Sequence, residues 1–261
     1  EDRKTIYRSF QFGSLVSLNM LDTRHLGRDK PLNYHNYISE AGLDGAAALA
    51  DLADVNRSLL GDEQRAWLQE QFNNKNAVWQ VLGQQVLMGR IYLPGALATQ
   101  LISLAGFGRL VKLATMAAKG IVLSPEDMQF LGANQKLLKM PPLPINLDAW
   151  DGFEEERQKV LQMAKQSQSN LIVLAGDSHN AWANNLLDLE GSACGVEFAA
   201  PSITSPGLEE TLGIKPEAVI PTEMQVLQMM PQLKHVNLSD RGFLPLSFTE
   251  SEATAEFYYV D

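Results

Sequence analysis

A single cysteine, Cys194, is all the chain carries, so no intrachain disulfide can form and the fold must rest on packing and hydrogen bonds. With no histidine near it in sequence to activate the thiol, Cys194 reads as a small core residue, and the redox compartment stays open. Positive charge is also short: 21 Lys and Arg face 31 Asp and Glu, a formal net charge of −10. Binding a nucleic-acid backbone demands a basic excess, so that partner class is excluded. An acidic chain still handles phosphate esters where metal ions supply local positive charge. Neither a G-x-S-x-G elbow nor a glycine-rich phosphate loop is present, which removes serine-hydrolase and dinucleotide-type readings. No uncharged run reaches the ~20 residues of a membrane span. The longest, Tyr92 to Gly108, contains Pro94 and Gln100 and runs on to Arg109 and Lys112, so a helical excursion near the mouth of a site is expected instead. An initiator Met and a signal peptide are missing too, and the expectation is a chain cut from something longer.

What is there is an ordinary globular composition. Of 261 residues, 45% are hydrophobic and 20% charged, enough apolar chain for a real core and too much for disorder. No repeat or convincing linker divides residues 1–261. "FQFGSLVSLNMLDTR" (10–24) is apolar and crudely alternating, a strand ending at Asp22-Thr23-Arg24. Residues 27–59 form a long excursion with an Ala-rich piece. "GDEQRAWLQEQF" (61–72) sets an acid before a helical run, and "AVWQVLGQQVLMG" (77–89) is a second strand closed by Gly89. Leu97 to Ala118 is helical, broken around Gly106-Phe107-Gly108. A proline-rich turn region (141–152) precedes the amphipathic helix "FEEERQKVLQMAKQSQ" (153–168). "NLIVLAGD" (170–177) is the uninterrupted aliphatic run of a strand covered on both faces. This alternation predicts an α/β fold, a mixed sheet flanked by helices. The tail reads as strands over 195–207, 233–249 and 253–261, with Asp240-Arg241-Gly242 turning a hairpin, hence a β-rich C-terminal section.

The chemistry concentrates in "LIVLAGDSHNAWANNLLD" (171–188). Open α/β sheets place ligands at the carboxyl ends of their strands, where Asp177 and His179 stand two residues apart. In extended chain that spacing turns both side chains to one side, so a carboxylate oxygen and an imidazole nitrogen could share a metal. Asn180 adds an amide for metal or substrate oxygen. The competing reading is a helix start, with Asp177 or Ser178 capping a helix-like "HNAWANNLL". At the end of the first strand, Arg24 could fork two hydrogen bonds to a phosphate while Asp22 holds it or binds metal; alternatively the two form a structural ion pair. Packing accounts for Trp150-Asp151-Gly152 as well as any site role does. Gln84-Gln85 either reach into a site or cap the sheet edge. His25, His35 and His235 read as structural or exposed. With four histidines and no nucleophile motif, the residues favour metal-assisted hydrolysis.

Several blocks, taken in order, resemble one family. "YRSFQFGSLVSLNMLDTRHLGRD" (7–29), "EQRAWLQEQFNNKNAVWQVLGQQVLM" (63–88), "NLDAWDGFEEER" (146–157, with Phe153 where Tyr is usual), "VLAGDSHNAWANNL" (173–186) and "APSITSPG" (200–207) are similar to the C-terminal portion of the PhoD-like alkaline phosphatases/phosphodiesterases, within the calcineurin-like metallophosphoesterases. The resemblance implies a metallophosphoesterase-type α/β sandwich that hydrolyses phosphate mono- or diesters, with Asp177 and His179 as metal ligands and Arg24 and Asn180 facing the phosphate. It implies iron and calcium as the metals, orienting the ester and activating water, and a periplasmic or secreted location. Residues 1–261 are then expected to be the C-terminal part of the domain, with the remaining ligands on an N-terminal half, and uncovered apolar surface is expected to drive homodimerisation or association with that half. The alternative is a catalytically silent binding or scaffold domain of the same fold.

Overall fold

The computed structural model of the chain describes residues 5–40 and 42–260. The charged start at residues 1–4 and Asp261, last residue of the strand expected over 253–261, lie outside the described residues. Seven strands form one mixed sheet: β1 (Arg8–Phe12), β2 (Val16–Met20), β3 (Trp79–Gly83), β4 (Asn170–Ala175), β5 (Ala181–Leu187), β6 (Ala193–Ala199) and β7 (Leu233–Asn237). Their spatial order is β1-β2-β3-β4-β6-β5-β7. The neighbours β2, β3, β4 and β6 run parallel, while β1 and β5 run against their partners. The carboxyl ends of β2, β3, β4, β6 and β7 therefore share one rim of the sheet with the start of β5. The α/β class read from the alternation holds.

Side-chain alternation explains why β4 is an unbroken aliphatic run. Leu171, Val173 and Ala175 point into the larger core, and Ile172 and Leu174 pack on the opposite face with Val16, Val81 and Val196. The first face is covered by α2 (Gly61–Asn73) and α5 (Glu154–Gln166), which insert Leu68 and Phe72, and Val160, Leu161 and Ala164. Each of these larger side chains is buried, and such burial contributes roughly 1.5–3 kcal/mol apiece. The opposite face is covered in part by the C-terminal ribbon β9 (Leu246–Phe248) and β10 (Ala253–Ala255), through Leu246, Phe248 and Ala253.

Several sequence expectations change. The segment 10–24 makes two antiparallel strands, because Gly13 takes a left-handed φ of 56° and reverses the chain. The strand expected over 77–89 stops at Gly83, and residues 84–90 cross the sheet as a loop. The Ala-rich part of the excursion folds as α1 (Gly45–Leu52), capped by Asp44. In the apolar helical stretch the break falls over residues 99–103, not at Gly106. Ser103 caps α3 (Leu104–Ala118) by accepting from the Gly106 N–H at 3.1 Å, which puts that glycine inside the first turn. No helix among the described residues is long and apolar enough to cross a membrane. In the tail, β7 does not form a hairpin with the residues after Asp240. Asn237 Oδ1 accepts from Ser239 N and Asp240 N, turning the chain so that β8 (Arg241–Phe243) leaves the sheet and pairs with β11 (Tyr258–Val260). The tail also carries a helix, α6 (Pro216–Met229). Cys194 is buried and free, as a core residue.

Two acids lie beneath the 84–90 loop. Glu197 accepts from Gly89 N at 2.8 Å and from Met88 N, and burial raises its pKa. Asp151 accepts from Ile91 N at 2.9 Å with one oxygen, leaves the other without a partner, and burial pushes its pKa up to about 7. The folded state thus binds this proton more tightly than the unfolded chain does. The stability Asp151 contributes is present below its ordinary pKa of about 4 and is lost as pH rises through 7. Denaturant unfolding of the wild type should therefore show stability falling between pH 5 and pH 8. Asp151→Asn should flatten that fall, and an unchanged slope in the variant would contradict the assignment.

Candidate active site

Four loops meet at the common rim: 21–28 after β2, 84–90 after β3, 176–180 after β4, and 200–207 after β6. The first is set by Asp22, whose buried carboxylate accepts from the backbone N–H groups of Arg24 (3.0 Å), His25 (2.8 Å) and Leu26 (3.0 Å). Gln64 of α2 clamps the same residue, accepting from Asp22 N at 2.7 Å and donating to its carbonyl at 2.8 Å. Gln85 accepts from Thr23 N at 2.9 Å and donates to Leu21 O, while Gln84 accepts from the Trp150 indole at 2.7 Å. Both glutamines therefore hold loops.

Asp22 does not hold the Arg24 guanidinium, either in support of a phosphate fork or as a structural ion pair. Its oxygens are engaged by backbone, and Arg24 extends the other way to two acids. Nη1 donates to Asp148 and Nη2 to Asp177. Asp148 in turn accepts from Arg28, which also donates to the Thr23 carbonyl at 2.9 Å and the Asp148 carbonyl at 2.8 Å. Sequence reasoning missed Asp148 and Arg28. Arg28 stands one helical turn's length after Arg24, and Asp148 lies within the quoted "NLDAWDG", but contacts at separations of 120 residues or more leave no local signal.

Asp177 and His179 stand in one tight turn and not in extended chain. Asp177 has φ 64° and His179 φ 61°, both left-handed, with Ser178 between them. The helix-like reading of the following segment is also overturned. Residues 181–187 form β5, paired on both sides with β6 and β7, and the alternating burial of its AWANNLL sequence is that of a strand. Asn184 and Asn185 are weak helix formers, so pairing decides. Capping by Asp177 or Ser178 thus has no helix to serve. Ser178 Oγ instead accepts from the Trp182 indole at 2.9 Å.

His179 is held by the 200–207 loop. Its Nδ1 lies 2.8 Å from the Pro206 carbonyl, and its own carbonyl accepts from Ser202 N at 3.1 Å. A carbonyl only accepts, so Nδ1 carries a proton and the neutral ring has its lone pair on Nε2, which has no partner among the described residues. That is the arrangement of a metal-ligating imidazole steadied from behind. One Asp177 oxygen is likewise unengaged. A cation is therefore offered one nitrogen and one oxygen from the same turn. Among the described residues no group of three or more acidic, His or Cys side chains converges.

Asn180 lies on the other side of the turn, fully buried. Nδ2 donates to the Leu238 carbonyl at 2.7 Å and Oδ1 accepts from Leu208 N at 3.1 Å. A Cβ on Gly207 would collide with this amide. Of the remaining histidines, His35 Nδ1 meets Asn33 at 2.8 Å and His235 Nε2 meets Tyr259 at 2.6 Å, while His25 stands in the rim loop with its backbone N–H on Asp22.

The fold and rim thus define an α/β protein with a fixed guanidinium and an acid–imidazole turn at the strand carboxyl ends. The chain belongs to the PhoD-like phosphatase family, whose model matches residues 1–257. It is 31% identical over 209 residues to alkaline phosphatase D of Bacillus subtilis (strain 168), covering 77% of this chain and 26% of that protein. A solved structure of PhoD superposes with a TM-score of 0.57 at 23% identity, covering 97% of this chain and 41% of that one, which shows the fold. The chain thus spans about a quarter to two-fifths of the length of these relatives.

Asn180→Ala should lower stability by about 1–3 kcal/mol, since it strands a buried carbonyl and a buried N–H. Calorimetry would read this as a fall in Tm of several degrees, at about 2–4 °C per kcal/mol for a chain of this size. A wild-type Tm would show that the amide does not tether the turn.

Proposed function

We propose that this chain contributes the Asp177–His179 donors and the Arg24 oxyanion contact to a metal-dependent hydrolase of phosphate mono- or diesters. The observation that carries the reading is the His179 imidazole, whose Nδ1–H is fixed on the Pro206 carbonyl and whose Nε2 faces outward with its lone pair. Family membership supplies the reaction class, and the relative named alkaline phosphatase D supports it. Iron and calcium fit the donor types, a nitrogen and a hard oxygen. Two donors from one turn do not complete a hydrolytic cluster, so the proposed site includes ligands beyond these, in keeping with a chain that spans 41% of the solved PhoD structure. Bound there, the metals would supply positive charge for the ester and a water acidified for attack.

The chain's own residues have defined tasks in this scheme. Asp177 and His179 bind, and the left-handed turn aims them. Arg24 pairs with Asp177 through Nη2 and with Asp148 through Nη1; were Asp177 to hold a metal, Nη2 would be free for a phosphate oxygen while Asp148 kept Nη1 in place. Asn180, buried and doubly engaged, positions the turn and does not contact substrate. A silent scaffold domain of the same fold would have no use for an outward imidazole with a fixed tautomer.

Tests belong in the longest natural polypeptide that contains these residues, assayed with an aryl phosphate monoester and diester in iron and calcium. Asp177→Asn and His179→Ala should each abolish metal-dependent turnover and lower metal content by elemental analysis. Full turnover and full occupancy in both variants would place the centre elsewhere.

Arg24 gives a second test. A guanidinium fork holding Asp148 and phosphate at once has no lysine equivalent, so Arg24→Lys should cost nearly as much as Arg24→Ala. Charge-assisted hydrogen bonds of about 1.5–3 kcal/mol correspond to roughly a ten- to hundredfold loss in kcat/KM. Unchanged turnover with a lowered Tm would assign Arg24 a structural role alone.

A further inference from the structure

A cavity of about 630 Å³ opens on the flank of the sheet, within the size range of small-molecule sites. It lies apart from the rim. Leu187, in its wall, is the far end of β5, six residues and so roughly 20 Å along the strand from Ala181. Apolar side chains make most of its wall, among them Leu93, Pro94, Pro142, Leu187 and Met229.

One part of the lining differs sharply. Arg157, 1% exposed, donates Nε to the Met88 carbonyl at 2.7 Å and Nη1 to the Leu187 carbonyl at 3.1 Å, and its Nη2 has no partner among the described residues. Arg90 pairs with Glu154 through Nε (3.0 Å) and Nη2, leaving Nη1 without one. The Tyr92 hydroxyl and the Asn185 side-chain amide have no hydrogen-bond partner among the described residues either, although both residues line the cavity. Glu154 does not supply the missing acceptors. Its oxygens already receive Arg90, Gln158 and, at 3.5 Å, Arg157. Two guanidinium nitrogens and a phenol therefore line one apolar-walled space whose other acceptors are neutral amide oxygens of Asn185 and Gln232, with no carboxylate free to match the cations. Guanidinium donors of this kind fit a carboxylate, and a buried cation is stabilised most by an anion that water does not screen.

We propose that this cavity binds a small amphipathic organic acid, its carboxylate toward Arg157, Arg90 and Tyr92 and its apolar body along Leu93, Leu187 and Met229. The site stands independently of the phosphoesterase reading, since its lining contains none of Arg24, Asp148, Asp177 or His179.

Octanoate, its uncharged isostere octanamide and inorganic phosphate are the probes, titrated calorimetrically into the wild-type chain. Octanoate should bind saturably with one-to-one stoichiometry and at least tenfold more tightly than octanamide, and phosphate should not bind here. Met229→Trp, at a partly exposed wall position that tolerates bulk, should block octanoate. Tyr92→Phe should weaken octanoate severalfold and leave octanamide unchanged. Equal affinity for octanoate and octanamide would reduce the cavity to an apolar groove and overturn the proposal. Absence of saturable octanoate binding, or binding that Met229→Trp leaves intact, would overturn it too.

Discussion

Arg24 ties together three parts of the chain at once: its own loop after β2, Asp148 ahead of α5, and Asp177 after β4. All three side chains are about a third or more exposed, and ion pairs so open to water contribute only ~0–1 kcal/mol to stability. The clamp therefore matters for where charges stand. With Arg28 also on Asp148, two cations and two anions are fixed in one small area, and a change of charge at Asp177 alters what Arg24 can hold. The stable parts of the fold, α2 and α5 against the sheet, exist on this view to keep the three loops within reach of one guanidinium.

The acid–imidazole turn is the other local constraint. Non-glycine residues in left-handed backbone cost of order 1–3 kcal/mol each, and here two of them stand one residue apart. They persist because the surroundings over-determine them. Trp182 reaches back to Ser178, the 200–207 loop holds both His179 and its carbonyl, and Asn180 anchors the exit. Strain of this kind, fixed by hydrogen bonds from β5 and from two loops, gives side chains a defined direction at an exposed position where rotamer freedom would otherwise blur it.

The sequence made some of this legible and hid the rest for physical reasons. The aliphatic run of β4 and the acid–histidine pair at its end are local patterns, and they were readable. The direction of β5 was not, since AWANNLL has no strong periodic signal and its strand state is imposed by β6 and β7. The extended backbone expected at Asp177 and His179 is not what forms, and positive φ at a non-glycine residue leaves no mark in sequence. Asp148 carries no signal of its own in sequence, because its partners Arg24 and Arg28 are more than a hundred residues away. Asn180 looked like a substrate contact from its neighbours, and only the fold shows it buried.

The central claim is that His179 presents an unprotonated Nε2 to a cation from a turn built for that purpose. Nitrogen-15 NMR of the histidine rings at neutral pH, with zinc as a diamagnetic probe, reads it directly. The account predicts that His179 is the Nδ1–H tautomer before zinc is added, that its Nε2 resonance moves on titration, and that Asp177→Asn weakens the response. A dominant Nε2–H tautomer, or an imidazole that ignores the cation, would contradict it.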